Sequence, residues 1–210
     1  MPQDDQPTTF GYLDVASLAA DGPAAAEGGP WVGGYLIVSE RGRPLEFHCT
    51  APVTASHAQR ILYGRSLRPF LMGEHLGATL VGAAKLRPDV LLIADADAAG
   101  AGRAGDTPVV LLPSAAGDPG DRGHSPASPP PAEPPLPGLA VDCWLLPRRA
   151  SPTGGPLPTA AERVAAGLRE LAESVDLAEP FDRIREAIAE AHRAAGASTT
   201  AEDTPHRDAA

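Results

Sequence analysis

Trp31 to Gly64, WVGGYLIVSERGRPLEFHCTAPVTASHAQRILYG, places two strand-like runs, a reversal and a capped helix in succession, and the fold follows from how these are read. Tyr35 to Val38 is an unbroken aromatic and aliphatic run, the composition of a strand covered on both faces. Ser39 to Arg43 is polar and contains Gly42, which takes a positive φ without a Cβ penalty, so the chain is predicted to double back as a β-hairpin. Leu45 to Thr50 then alternates. Leu45, Phe47 and Cys49 share one face, expected to turn into the core, and Glu46, His48 and Thr50 share the other. That polar row reads as the wet side of an antiparallel sheet, with Glu46 and His48 as the acid and base candidates should it carry chemistry. After Pro52, Ser56-His57-Ala58-Gln59 has the form of a capping box, and Gly64 suits the end of the short helix it would start.

The string GGYLIVSERGRPLEFHCTAPV, with ILYG and a GEHLGATL-like helix after it, resembles a set of uncharacterised proteins from GC-rich bacteria over roughly residues 31 to 95. The resemblance implies kinship and no mechanism. Abundant alanine, glycine and proline, with Lys85 the sole lysine among many arginines, fit the same genomic bias.

Outward from this core, residues 1 to 8 read as disordered and Phe10 to Leu18 as a first strand, with Tyr12, Asp14 and Ala16 on one side. Arg68-Pro69 predicts a helix with proline at its first position, running to about Ala84. Gly73 and Gly77 lie one turn apart in it, a spacing that lets the helix pack flat on the sheet. Glu74 and His75 are neighbours that diverge by about a hundred degrees on a helix, so they do not serve one site. Val90 to Ile93 has the unbroken apolar character of a central parallel strand, and Asp95 and Asp97 fall at its carboxyl end, the edge where open α/β sheets bind ligands. Thr107 to Leu112 is another strand, completing an α/β core over residues 9 to 113.

Residues 114 to 138 are too rich in proline to pack and read as a disordered, partly polyproline II spacer. Leu139 to Leu146 returns as a last strand, on which Asp142 needs either solvent or a donor. Residues 147 to 158 form a linker. A helical pair over 159 to 194 follows, with Val164, Leu168, Leu171 and Val175 on one stripe and Phe181, Ile184, Ile188 and Ala191 on the other. Residues 195 to 210 read as a disordered tail. The fold class is therefore α/β: a mixed sheet of five to six strands with an N-terminal antiparallel hairpin, covering helices and a C-terminal helical pair.

The net charge of −10 repels phosphate at long range, which disfavours general nucleic-acid or anionic-membrane binding. Cys49 and Cys143 lack CxxC spacing and read as buried free thiols. The acidic start MPQDDQPTTF and the lack of any ~20-residue apolar run suit a soluble, cytoplasmic protein. No GxSxG, HExxH, P-loop or EF-hand pattern occurs.

The element order, a strand bearing Asp14, a hairpin, helices and then a strand ending in Asp95 and Asp97, resembles the opening of a ribonuclease H-like domain. That resemblance implies Mg²⁺ held between carboxylates of the first and fourth strands, with Asp14, Asp95 and Asp97 as metal ligands in phosphodiester cleavage. The pattern also wants a carboxylate near the end of the first helix and one on a late helix, which Glu74 and the acidic C-terminal helices match loosely. Two functions are thus set against each other. The main reading is a non-catalytic interaction or scaffold protein with a protein partner or self-association and no bound cofactor; the alternative is a Mg²⁺-dependent nuclease using Asp14 and Asp95.

Overall fold

The computed structural model describes residues 8–18, 29–105, 107–112, 135–139, 141–146 and 157–202. Most of the stretches expected to be disordered lie outside these. Among the described residues, six strands form one sheet in the order β3-β2-β1-β4-β5-β6. They are β1 (Thr9–Ser17), β2 (Trp31–Ser39), β3 (Pro44–Cys49), β4 (Val90–Ile93), β5 (Val109–Leu111) and β6 (Trp144–Leu145). β2 runs antiparallel to β1 and β3, β4 runs parallel to both β1 and β5, and β6 returns antiparallel to β5. The mixed α/β architecture expected from sequence is thus present.

The hairpin closes as its residues require. Gly42 has φ 71° and its N–H donates to the Ser39 carbonyl. Ser56 and Gln59 form both bonds of the capping box, starting α1 (His57–Tyr63), and Gly64 ends it at φ 49°. Beyond Gly64 the chain stays helical in changing pitch: a 3₁₀ turn (Gly64–Ser66), a helical turn (Leu67–Pro69), a π-helical stretch (Phe70–Gly77) and α2 (Ala78–Ala83).

Gly73 and Gly77 have a different neighbour from the one expected. A Cβ on Gly73 would stand 2.9 Å from the Gly100 nitrogen, and one on Gly77 2.7 Å from the Ala101 Cβ, so the two glycines admit the 3₁₀ segment Ala96–Ala101 that follows β4. Gly77 also meets Leu13 on the sheet. The short α3 (Gly102–Gly105) leads on to β5, and the C-terminal pair is α4 (Leu157–Ser174) and α5 (Glu179–Glu202). The last helix therefore reaches eight residues into the segment expected to be a tail.

The sheet has helices on both faces. Phe10, Tyr12, Leu36, Val38 and Leu92 face α4 and α5, which contribute Leu168, Leu171, Phe181 and Ile184. Leu13, Val15, Tyr35, Ile37, Leu91 and Ile93 face the π-helical stretch and α2, with Leu71, Met72, Leu76 and Leu80. The register leaves no slack between α5 and β2: a Cβ on Gly34 would run into Ile184 Cγ2.

One expectation about the hairpin is corrected. Leu45 and Phe47 are 45% and 39% exposed, and Cys49 is exposed as well. Their row does lie on the α4/α5 side, since Phe47 pairs with Leu36 and Cys49 with Gly34. But β3 is the edge strand and the helical pair stops over β2 and β1, so the row is left bare. The polar row is the more covered one, because Glu46 reaches under the end of α2. Cys143 is buried as expected, and burial pushes its thiol up to about 11.

Two further segments depart from expectation. Among the described residues of the returning segment, Trp144 and Leu145 pair as a strand, with Asp142 exposed. Leu136, in the stretch expected to be a spacer, is buried, and its N–H donates to the Cys143 carbonyl.

Candidate functional site

β1 and β4 are parallel neighbours at the centre of the sheet, paired from Phe10↔Val90 to Leu13↔Ile93. One step further, Asp14 comes level with Ala94, and beyond Ala94 lie Asp95 and Asp97. The carboxyl edge of these strands is thus where the chain gathers the acidic residues picked out from sequence.

They do not form one cluster. Alternation puts Asp14 on the same face as Tyr12, toward α5, where its Oδ2 accepts from Arg185 Nε at 2.8 Å. The Asp14 side chain is 8% exposed, and Arg185 also donates to Asp182 at 3.1 Å. Asp95 turns to the other face. Its Oδ1 accepts from the Asp97 N–H at 2.9 Å, capping the 3₁₀ turn, and its Oδ2 accepts from Arg68 Nη2. Arg68 Nε donates to Asp97 at 2.7 Å, so one guanidinium holds both carboxylates. The same guanidinium lies over the indole of Trp31, 5.4 Å from the ring centroid.

The ribonuclease H-like reading calls for Mg²⁺ between Asp14 and Asp95, and these residues do not fit it. The two carboxylates address opposite faces of the sheet, each with its own arginine. Glu74 pairs with Arg103 at 3.2 Å instead of joining either. Among the described residues no group of three or more His, Cys, Asp or Glu side chains is placed to hold a metal ion.

Glu46 and His48 do meet, with His48 Nε2 2.6 Å from Glu46 Oε1. The carboxylate is already engaged, however, accepting from the Lys85 and Leu86 N–H groups at 2.9 Å each. The Lys85 N–H, then His48, then the Leu86 N–H hold its pKa down from 4.5 to about 2. A carboxylate so held fastens the end of α2 to the edge strand and is a poor proton carrier.

The sequence reading passed over the cationic half of this edge. Between Glu46 and Glu74 there is no acidic residue, while Arg60, Arg65 and Arg68 are present, so this stretch is positive within a chain of net charge −10. Aromatic rings line up along it. Tyr63 stacks on Phe70 at 4.3 Å, and Phe70 lies nearly parallel to His75 at 5.9 Å. Tyr63, Arg65 and His75 are exposed, and Leu62 is 81% exposed. The missing acidic residues were countable in the sequence; the ring alignment depends on the change from 3₁₀ to π-helical pitch that carries the chain from Tyr63 to His75.

No family model matches the chain, and no curated protein does. Solved structures similar to it include endonuclease V from Bacillus subtilis, at 14% identity and a TM-score of 0.36, matched over 51% of this chain and 45% of that one. Endonuclease V from Ciona intestinalis, in complex with a 23mer DNA containing an inosine followed by a ribo-adenosine, is similar at 17% identity and a TM-score of 0.33, over 52% and 47%. The chain thus spans about half the length of the solved structures it matches. These neighbours correct two expectations, the non-catalytic interaction or scaffold protein and the disfavouring of general nucleic-acid binding: they are endonucleases, and the Ciona protein is seen with DNA. The physical fault in the second expectation was to let total charge stand for local charge. Among the described residues no helix is long and apolar enough to cross a membrane.

Proposed function

We propose that the protein binds nucleic acid, with single-stranded segments laid along the ridge from α1 to the π-helical stretch. The carrying observation is the acid-free run between Glu46 and Glu74, whose Arg65 and stacked Tyr63, Phe70 and His75 combine a cationic track with ring faces. Arginine neutralises backbone phosphates, and a base stacked on an exposed ring gains roughly 1–3 kcal/mol whatever its identity. Arg68, with Asp95, Asp97 and Trp31, anchors the ridge to the carboxyl edge of β1 and β4. The acidic remainder of the chain limits binding elsewhere, and the arginine–phosphate contacts make binding along the ridge salt-sensitive.

Fluorescence anisotropy with dye-labelled single-stranded and duplex oligonucleotides of DNA and RNA tests this. Single strands are expected to bind more tightly than duplexes, and affinity to fall as salt rises. Tyr63→Ala is expected to weaken binding by about tenfold, the loss of one stacked base. Arg65→Glu is expected to weaken it and flatten the salt dependence. Absence of binding at low salt, or binding that neither variant changes, overturns the proposal.

A further inference from the structure

We infer that Ala94 keeps the carboxyl edge of β1 and β4 from holding a divalent metal, and that Arg185 is the cation Asp14 is built to hold. The inference stands apart from the nucleic-acid reading, since it concerns the opposite face of the sheet. A metal shared by two parallel strands needs carboxylates on the same face, level with each other, because neighbouring strands lie about 4.8 Å apart and Mg²⁺ takes oxygens at about 2.1 Å.

The register decides which residue that is. Leu13 pairs with Ile93, so Asp14 is level with Ala94, which packs against the same cluster as Tyr12 and Phe181. Asp95 comes one residue later, and a one-residue step on an extended chain reverses the face. Its φ of −128° and ψ of 131° keep it extended, so its carboxylate goes to Arg68 on the other layer. At Ala94 there is only a methyl group. The guanidinium of Arg185 answers the charge of Asp14 from α5, at 2.8 Å, and a second cation there would meet it as a like charge.

Ala94→Asp with Arg185→Ala should therefore create a site that the natural chain lacks. Mn²⁺ binding to the full-length protein, followed by electron paramagnetic resonance, is compared for wild type, Asp14→Asn, the double variant and the double variant carrying Asp14→Asn. Wild type and Asp14→Asn are expected to bind Mn²⁺ alike. The double variant is expected to bind one Mn²⁺ at least tenfold more tightly, and Asp14→Asn to remove that gain. If circular dichroism shows the double variant unfolded, Ala94→Asp alone carries the test, with a smaller gain that Asp14→Asn again removes. Wild-type binding that Asp14→Asn weakens overturns the inference, and so does a folded variant with Ala94→Asp that shows no Asp14-dependent gain.

Discussion

The two acidic positions at the carboxyl edge of the central strands stand on and just after adjacent strands and have opposite surroundings. Asp14 is buried against the sheet under α5 and accepts from Arg185, 171 residues on in the sequence. Asp95 and Asp97 sit a quarter exposed on a tight turn and share one arginine from the helical layer opposite. The difference shows that closeness along the strand order does not make a site; the face each side chain takes does. It also predicts unequal costs of disruption, since an ion pair gains in weight as water is excluded from it.

The largest effect belongs to the packing that covers Asp14. Phe181 is fully buried and meets Tyr12 edge-on at 5.1 Å, so Phe181→Ala is expected to cost about 3–5 kcal/mol in urea unfolding, the usual range for emptying such a site. If α5 were only loosely docked, the loss would be well under that range.

Next come the arginines, measured by the same method. Arg185→Ala leaves the nearly buried Asp14 without that partner and is expected to cost about 1.5–3 kcal/mol. Arg68→Ala frees two carboxylates that water already reaches and is expected to cost about 1 kcal/mol, even though it removes a pair of charged hydrogen bonds as Arg185→Ala does. Equal losses would abolish the contrast between the faces, and a larger loss for Arg68 would invert it.

The smallest effect concerns pH. Glu46 has its pKa lowered in the folded chain from 4.5 to about 2. Its contribution is therefore fully present above the unfolded value and is lost as pH falls from about 4.5 toward 2. Thermal unfolding across that interval should fall less steeply in Glu46→Gln than in wild type, after allowance for the carboxylates common to both. Parallel curves would mean that Glu46 does not carry the link between β3 and α2.

Much of the architecture could be read from sequence because its signals are local. Gly42 in a polar reversal, Ser56 three residues before Gln59, and the apolar run Val90 to Ile93 each describe their own conformation. The stripes of the C-terminal helices likewise named the residues that dock, among them Leu168, Phe181 and Ile184. What could not be read depends on partners remote in sequence. Leu45, Phe47 and Cys49 alternate like a core row, but their exposure follows from β3 lying at the sheet edge. The separation of Asp14 from Asp95 depends on a register in which Leu13 meets Ile93. The π-helical stretch accommodates Gly100 and Ala101, where the spacing of Gly73 and Gly77 had suggested close packing but on the sheet.

The docking of α4 and α5 on the first strands has a consequence for synthesis. A ribosome releases β1, β2, β4 and their inner helices well before Leu168, Phe181 and Ile184, so Phe10, Tyr12 and Leu92 wait uncovered until those later residues emerge. During that interval the nascent sheet is one-sided and adhesive, and chaperone occupancy should be greatest on chains stalled just short of Phe181.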